Sequence, residues 1–326
     1  MSLTVVMPAY KAAHQLPRAI PALLDAGFAP DEVLVVDDAS GDGTAEVAES
    51  YGVRVLRLAE NSGAAGARNA GAAAAPGDIL VFVDADVVVH PGTKARIAQF
   101  FAARPDYDAL FGAYDTNPPE GGVVSRFRNL LHRYVHVTNA GEAVTFWTGC
   151  GAVRADAFRR AGGFDPAARW VMIEDVVFGL ALHKTGGRIW LDPDLECAHL
   201  KAWTLKSMVR TDLVHRAMPW TRLLQQERQS AFGGQLNANR TGRLSVLSVA
   251  ASLLAIPLLL LAPGTALVLL AFALGSLIWF NRGFLEMMRR VRGAAEALQA
   301  IPLLWIHYLS GGLGYAWVRF GFSRVA

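Results

Sequence analysis

The fold is decided by residues 79–86, Ile79-Leu80-Val81-Phe82-Val83-Asp84-Ala85-Asp86, where an apolar run ends in two acids. Five consecutive apolar residues of β-branched and aromatic types predict a strand buried on both faces. Such a strand carries Asp84 and Asp86 to its carboxyl end, where open α/β sheets bind ligands. Two carboxylates in a short turn also suit Mg²⁺ or Mn²⁺. The alternative is an acidic turn that ends the strand and caps a helix at Pro91-Gly92, and this stretch alone favours neither.

Strands and helices alternate along the N-terminal part of the chain. The apolar patterns predict strands at 3–7, 33–36, 53–58, 79–83, 108–113, 146–153 and 188–191. Helical patterns lie at 15–26, 44–51, 64–74 and 123–139. This order predicts an α/β, Rossmann-like fold with a mostly parallel sheet, right-handed crossovers and flanking helices.

Two more acids, Asp37 and Asp38, follow the second predicted strand, so acids end two strands on one edge. Arg68 lies in the early turns of a helix between these strands. It either pairs with Asp37 or Asp84, or clamps a diphosphate by bidentate hydrogen bonding. No Gly-x-Gly-x-x-Gly follows the first strand and no Walker-type loop is present, so the two commonest phosphate-binding loops are absent.

Further candidates lie later in the chain. Glu174 and Asp175 open an amphipathic helix, and the helix dipole alone explains acids in a first turn. Asp175 gains a chemical role only if the fold carries it to the acidic edge. His199 follows the last predicted strand, and a single histidine is more often a packed or surface residue than a ligand.

Composition restricts the classes of protein. The 326 residues are 53% hydrophobic, and the mean hydropathy of +0.28 is high for a soluble protein. Residues 1–243 hold 25 basic and 26 acidic side chains, whereas 244–326 hold six Arg and two Glu. The first part is therefore near neutral, which argues against nucleic acid as a partner.

The N-terminus and the cysteines indicate a cytosolic location for the first part. Residues 1–8 lack a basic region followed by an apolar segment and a cleavage site, so they predict a first strand and not a signal peptide. Cys150 and Cys197 are the only cysteines, and they lack zinc or redox spacing. Reduced, packed thiols are the favoured interpretation.

Residues 201–243 combine basic and apolar side chains at roughly helical spacing. The charged residues in question are Lys201, Lys206, Arg210, Arg216, Arg222 and Arg228 against Asp212 and Glu227. With Trp203, Trp220 and the helix-kinking Pro219, they predict amphipathic helices at a membrane interface. A solvated helix packed on the N-terminal domain is the alternative.

Long apolar segments follow. Residues 244–280 are almost wholly apolar and carry no charge until Phe280, and Pro263-Gly264 interrupts them near the middle. This pattern predicts a hairpin of two transmembrane helices. The arginines at 281–292 contrast with the uncharged turn and predict, by the positive-inside rule, that this loop and the N-terminal domain face the cytoplasm of a multi-pass inner-membrane protein. A third apolar segment, 297–322, spans, re-enters or dips into the bilayer. The predicted division is thus a catalytic domain at 1–200, interface helices at 201–243 and a membrane region at 244–326.

Six short motifs stand in the order found in one known family. They are Val6-Met7-Pro8-Ala9-Tyr10, Val35-Val36-Asp37-Asp38-Ala39-Ser40, Ala67-Arg68-Asn69-Ala70-Gly71, Asp84-Ala85-Asp86, Gly162-Gly163-Phe164-Asp165 and Glu174-Asp175. On these motifs, over residues 3–191, the chain resembles the inverting family 2 glycosyltransferases, which have the GT-A fold. The resemblance implies a nucleotide-sugar site in the first half of the sheet and an acceptor site in the second.

The resemblance also implies roles for single residues. The donor-binding set is Pro8, Tyr10, Asp37, Asp38, Arg68, Asp84 and Asp86. Within it, Tyr10 and Asp38 contact the nucleobase, with Asp37 close to the same pocket, Arg68 approaches the diphosphate and Asp84 the ribose. Asp86 ligates Mg²⁺ or Mn²⁺, and His199 stands where some relatives place another metal ligand. Asp175 is the general base, and Glu174 and Trp203 belong to the acceptor side.

One departure bears on the product. Where cellulose-synthase-like relatives carry Gln-x-x-Arg-Trp, residues 225–229 read Gln-Gln-Glu-Arg-Gln, which argues against processive polymer synthesis. We therefore expect transfer of a sugar from a nucleotide sugar, with a UDP-sugar favoured, to a lipid or lipid-linked acceptor at the cytoplasmic face. Polyprenyl phosphate as acceptor is one alternative, and a catalytically silent membrane scaffold that binds nucleotide sugars is another. The joint presence of Arg68, Asp86 and Asp175 disfavours the silent scaffold.

Overall fold

The chain folds into two compact units. The computed structural model describes residues 1–119, 121–168, 172–226 and 240–321. Unit 1 comprises Met1–Glu120 and Val135–Lys201, and unit 2 comprises Gly121–Tyr134 and Ala202–Ala326. Three sequence predictions lie outside the described residues: the part of the interface region at 227–239, including Glu227 and Arg228, the Glu-Arg-Gln of the 225–229 string, and residue 322 at the end of the third apolar segment.

Unit 1 is built on one sheet. Its strands are β1 (Leu3–Ala9), β2 (Val33–Asp37), β3 (Arg54–Arg57), β4 (Ile79–Val83), β5 (Val87–Val89), β6 (Ala109–Tyr114), β7 (Gly141–Ala143), β8 (Cys150–Arg154) and β9 (Ile189–His199). They lie in the order β3-β2-β1-β4-β8-β6-β9-β5, and β7 also pairs with β9. The predicted parallel pairing holds for β3-β2-β1-β4 and for β6 with β9. The sheet as a whole is mixed, because β8 runs antiparallel to both β4 and β6, and β5 and β7 run antiparallel to β9.

Helices flank this sheet. They are α1 (Leu16–Asp25), α2 (Thr44–Ser50), α3 (Gly63–Ala74), α4 (Thr93–Ala103), α5 (Val123–Thr138), α6 (Ala155–Arg160) and α7 (Glu174–Lys184), with α5 divided between the units. Helix α3 lies so close to the sheet that a Cβ on Gly71 would stand 2.4 Å from a Val6 methyl and 2.8 Å from a Val36 methyl. Only glycine fits there, and this close approach brings Arg68, one turn earlier, to the carboxyl edge of β1 and β4.

An aromatic cluster fixes the position of α7. Phe164 packs against Phe82 of β4 at 5.1 Å between ring centroids and against Phe178 of α7 at 4.8 Å. All three rings are fully buried. Phe82 comes two residues before Asp84, and Phe178 lies one turn after Glu174, so the cluster holds the first turn of α7 beside the end of β4.

Strand β9 is longer than the sequence predicts and runs to His199. Its last residues find a partner in the short β5, where Val87 pairs with His199. Because β5 follows Asp86 directly, this antiparallel pairing brings His199 next to the second acid of the turn. Cys150 and Cys197 are both free thiols buried in the sheet.

Unit 2 is helical. After the start of α5 it contains α8 (Leu205–Arg210), a π-helical segment (Thr211–Ala217), α9 (Met218–Gln226), α10 (Arg240–Leu258), α11 (Pro263–Phe280), α12 (Arg282–Arg292) and α13 (Ala294–Arg319). A buried cluster joins α5, α12 and α13 through Phe127, Phe284 and Leu304. Among the described residues, α10 and α11 are the two helices long and apolar enough to cross a membrane. Helix α13, which includes residues 297–319 of the third apolar segment, does not meet that criterion.

Candidate active site at the carboxyl edge of the sheet

The loops that follow β1 and β2 form one wall of the site. Tyr10 is 51% exposed there, and Pro8 lies half-buried on β1. Lys11 and Ala39 adopt positive φ angles of 53° and 57°, a strained conformation for residues other than glycine. The Lys11 N–H donates to Ser40 Oγ at 3.0 Å, which ties the two loops together. Strain of this kind concentrates at ligand sites.

Asp38 caps a helix. Its carboxylate accepts hydrogen bonds from Ser62 N at 2.7 Å, Ser62 Oγ at 2.9 Å and Gly63 N at 2.9 Å, and the side chain is buried. These donors lie at the N-terminus of α3, where a negative charge is favourable. Asp37 is also buried and accepts from Ser40 N at 3.2 Å. Both acids thus brace the loops of this wall, and their predicted contact with a nucleobase stays a prediction.

Arg68 joins the two halves of the site. Its Nη2 donates to Asp84 Oδ1 at 2.6 Å and its Nη1 to Glu174 Oε1 at 2.9 Å. The arginine side chain is 4% exposed, and the guanidinium carbon lies 5.6 Å from the centre of the Phe164 ring. Of the alternatives open for Arg68, the structure has the pairing with Asp84 and adds Glu174. The turn after β4 and the first turn of α7 are therefore held by one buried cation.

Asp86 and His199 form a pair suited to a divalent cation. Asp86 Oδ2 lies 3.3 Å from His199 Nε2. Two ligands about 2.1 Å from one ion at a right angle are about 3 Å apart, so the two atoms fit neighbouring positions around Mg²⁺ or Mn²⁺. Within the described ranges, no group of three or more His, Cys, Asp or Glu side chains could hold an ion. An ion at this pair needs further oxygen ligands from water or a bound substrate.

The environment of this pair is polarised. Burial by itself raises the pKa of Asp86, but the hydrogen bond and charge of His199 and the charge of Lys201 outweigh it, and the pKa lies below its usual range. The imidazole of His199 stacks on Tyr114, with ring centroids 4.6 Å apart and planes 12° from parallel. The aspartate is therefore ionised at neutral pH and the histidine ring is held in place.

Asp175 lies half-buried in the first turn of α7. Burial and the neighbouring charge of Glu174 raise its pKa to about 7, although Arg68 opposes the shift. Its Oδ1 accepts a hydrogen bond from Val176 N at 2.8 Å. A carboxylate with a pKa near neutrality is matched to the task of a general base.

Sequence reasoning missed part of the site. Tyr114 ends β6 and Asp115 follows it, which is the same strand-then-acid pattern seen after β2 and β4, so the signal was present. Asp115 Oδ2 lies 3.1 Å from His90 Nε2. Trp147 contacts the Tyr114 ring edge-on at 4.8 Å between centroids. Trp203, predicted on the acceptor side, lies in unit 2, where its N–H donates to Ser125 Oγ at 2.7 Å.

The N-terminal half of the chain is similar to a known protein family. The model of the family described as "Glycosyl transferase family 2" matches residues 4–162, a range that includes the loops after β1 and β2, Arg68 and the Asp84-x-Asp86 turn. Residues 4–162 are a glycosyltransferase family 2 domain. The resemblance seen in the motifs is thereby confirmed.

Solved structures show the fold of the family 2 domain. A mannosyltransferase from Pyrobaculum calidifontis, PcManGT, solved in complex with GDP-Man and Mn²⁺, aligns with a TM-score of 0.62 at 20% identity over 97% of this chain and 87% of that one. This likeness confirms the GT-A fold, in which a mixed, curled sheet is flanked by helices.

Curated relatives match parts of this chain. An uncharacterized glycosyltransferase of Haemophilus influenzae is 28% identical over 55% of this chain and 61% of its own length. The dolichyl-phosphate β-glucosyltransferase of Drosophila melanogaster is 37% identical over 37% of each chain. The succinoglycan biosynthesis protein ExoO of Rhizobium meliloti is 37% identical over 30% of this chain and 29% of its own length. The matched part thus spans between about three tenths and three fifths of these relatives.

Proposed function

We propose that this protein is a membrane-bound, inverting, metal-dependent glycosyltransferase that transfers a sugar from a nucleotide sugar to a lipid or lipid-linked acceptor at the cytoplasmic face. The observation that carries the proposal is the chain of contacts at the carboxyl edge of unit 1. It runs from Asp84 through Arg68 and Glu174 to Asp175, beside the Asp86–His199 pair. Donor-side and acceptor-side acids are thereby joined within one site.

The residues divide the chemistry between them. Asp175 takes the proton of the acceptor hydroxyl or phosphate as that oxygen attacks the anomeric carbon, and a single base opposite the leaving group gives inversion. Asp86 and His199 would hold Mg²⁺ or Mn²⁺, which supplies charge to neutralise the departing diphosphate. Arg68 fixes the distance between the turn that carries Asp86 and the helix that carries Asp175. A protein that only binds nucleotide sugars needs no base with a raised pKa, so the silent scaffold is disfavoured.

The proposed membrane location rests on the exposure of α10 and α11. Both helices are apolar, yet most of their residues are not buried within the protein, unlike the core helix of a soluble protein. Leu254 of α10 is 70% and Phe272 of α11 is 72% exposed, and other large apolar side chains on these helices are exposed as well. Soluble proteins rarely leave so large a continuous apolar surface in water. The positive charges of α12 favour the cytoplasmic side for the end of α11.

Polyprenyl phosphate is a second candidate acceptor. The observation that favours it is the similarity to the dolichyl-phosphate β-glucosyltransferase of Drosophila melanogaster, 37% identical over 135 residues. A sugar linked to a polyprenyl phosphate is released by mild acid, whereas a glycosidic bond to a lipid hydroxyl survives that treatment. The two acceptors are therefore separated by one chemical step on the product.

The test uses membranes that contain the full chain. They are incubated with Mn²⁺ and labelled UDP- and GDP-sugars in turn, and the lipid phase is extracted. We expect label in the lipid phase with one donor, loss of label with EDTA and its return with added Mn²⁺. Asp175→Asn is the matched control, which should abolish transfer while nucleotide binding persists. Label that enters only water-soluble products, or equal transfer by Asp175→Asn, would contradict the proposal.

A further inference from the structure

Helix α12 begins where the apolar hairpin of α10 and α11 ends. Asn281, the residue between α11 and α12, is buried, and its Nδ2 donates to Ser245 Oγ at 3.0 Å and to the Leu277 carbonyl at 2.8 Å. Tyr308 Oη donates to Asn281 Oδ1 at 2.8 Å. These hydrogen bonds hold the start of α12 at the end of the hairpin formed by α10 and α11. The other end of the hairpin is the apolar turn at Pro263.

The two faces of α12 differ sharply. Phe284 and Met288 are fully buried in the cluster that joins α5, α12 and α13. The side chains of Arg289 and Arg290 are 59% and 74% exposed. The hydrophobic side of the helix is thus already covered by protein, and the arginine face is left to another partner.

The charges on this face do not cancel. Arg289 and Arg290 both donate to the single carboxylate of Glu286, at distances of 2.6 to 2.8 Å. Hydrogen bonds from Arg289, which has the larger effect, and from Arg290 lower the pKa of Glu286 to about 2, so its carboxylate stays ionised. Two cations therefore share one anion, and Arg282, stacked 4.4 Å from the ring of the exposed Trp279, adds a third cation at the start of the helix.

We propose that the outward face of α12, formed by Arg282, Arg289 and Arg290, is a binding surface for the headgroups of anionic phospholipids. Charge complementarity selects an anionic partner, and guanidinium groups bind phosphate oxygens. The adjoining exposed side chains of α11 include Trp279 at its end, and tryptophan at a helix end is typical of the headgroup level of a membrane. The anionic partner is therefore a lipid bilayer and not free phosphate. The proposal rests on the proposed membrane location and adds the lipid class.

The test measures lipid selectivity of the full chain in vesicles. Protein is reconstituted in phosphatidylcholine or in mixtures with phosphatidylglycerol. Quenching of tryptophan fluorescence by brominated lipid gives the binding constant for phosphatidylglycerol relative to that for phosphatidylcholine. We expect this ratio to favour phosphatidylglycerol by about fivefold or more and to fall as salt is added. In the double variant Arg289→Gln, Arg290→Gln the ratio should be at least about threefold lower than in the wild type. The matched control is Arg18→Gln, Arg159→Gln, which removes two exposed arginines of unit 1 and should leave the ratio unchanged.

A second variant separates binding from folding. Glu286→Gln removes the anion that the two arginines share, so the preference for phosphatidylglycerol should rise, a result that a folding defect does not produce. Equal ratios in the wild type and in both α12 variants would overturn the proposal. If the protein co-floats with both vesicle types in a density gradient and transfers sugar without lipid preference, the proposed function stands and the proposed lipid selectivity fails. If the protein co-floats with neither vesicle type, both the proposed membrane location and the proposed lipid selectivity fail.

Discussion

At the scale of single residues, the ionisation of Asp175 decides when a base is available. Its pKa of about 7 means that the carboxylate is largely protonated below that pH and cannot accept the acceptor's proton. We expect kcat/KM to fall tenfold per pH unit below about pH 7. The measurement is the pH profile of transfer at subsaturating acceptor. A profile that is flat between pH 5 and pH 8 would remove Asp175 from the role of base.

The same shift has a consequence for stability. The folded pKa of Asp175 is raised, so the native state binds the proton more tightly than the unfolded chain, and ionisation of Asp175 destabilises the fold as pH rises from about 4 to 7. Asp175→Asn removes that cost, which is at most about 4 kcal/mol for three pKa units. We expect the variant to gain Tm over the wild type at pH 8 and to show a smaller gain at pH 5. Thermal unfolding at both pH values measures this, and an equal gain at both would be the contrary result.

Arg68 acts on this base through Glu174. Its guanidinium is buried between Asp84 and Glu174, so its loss leaves two carboxylates without their cation next to Asp175. We expect Arg68→Ala to destabilise unit 1 by about 3–5 kcal/mol. Arg68→Lys keeps the charge but cannot reach both partners with a rigid fork, so the acidic limb of the pH profile should move above pH 7. Calorimetry and the pH profile are the two measurements. If Arg68→Lys lowers the stability but leaves the acidic limb of the pH profile where it is in the wild type, Arg68 has a structural role alone.

At the scale of elements, the apolar run at 79–83 was sufficient to predict β4, whereas the acids after it left a ligand site and a plain acidic turn equally open. The strands predicted at 3–7 and 33–36 for the same reason are β1 and β2, which run on to Ala9 and Asp37. No local pattern predicts the pairings that complete the site, because Arg68 meets Glu174 and Asp86 meets His199 only through packing of distant segments. For Asp86 and His199, the resemblance alone implied a shared metal. Strand β5, with three residues, is too short to give a pattern, yet its pairing with β9 brings His199 to Asp86.

The length of α11 leads to a prediction about the hairpin. Its 18 residues span about 27 Å, close to the roughly 30 Å of the hydrocarbon core, so the turn should reach the far side of the membrane. Gly264 has open space around it and an ordinary φ, so Gly264→Cys is tolerated. We expect an impermeant maleimide to label it only from the side opposite to that which labels Arg290→Cys. The native cysteines are buried and give little background. Labelling of both positions from one side would contradict a crossing hairpin.

At the scale of the whole molecule, the uneven distribution of apolar side chains predicts how the full chain is held. Because the exposed surface of α11, and of α10 beyond its exposed Arg240 and Arg243, is apolar and uncharged, we expect the protein to stay in membranes through washes with high salt and alkaline carbonate. Only detergent should release it. Phe272→Arg places a charge on the exposed face of α11 at an insertion cost of about 3 kcal/mol, and it should increase the fraction released. Immunoblots of pellet and supernatant measure that fraction. Release of the wild type by carbonate would mean that α10 and α11 pack against protein, and their exposed leucines and Phe272 would then mark a subunit interface.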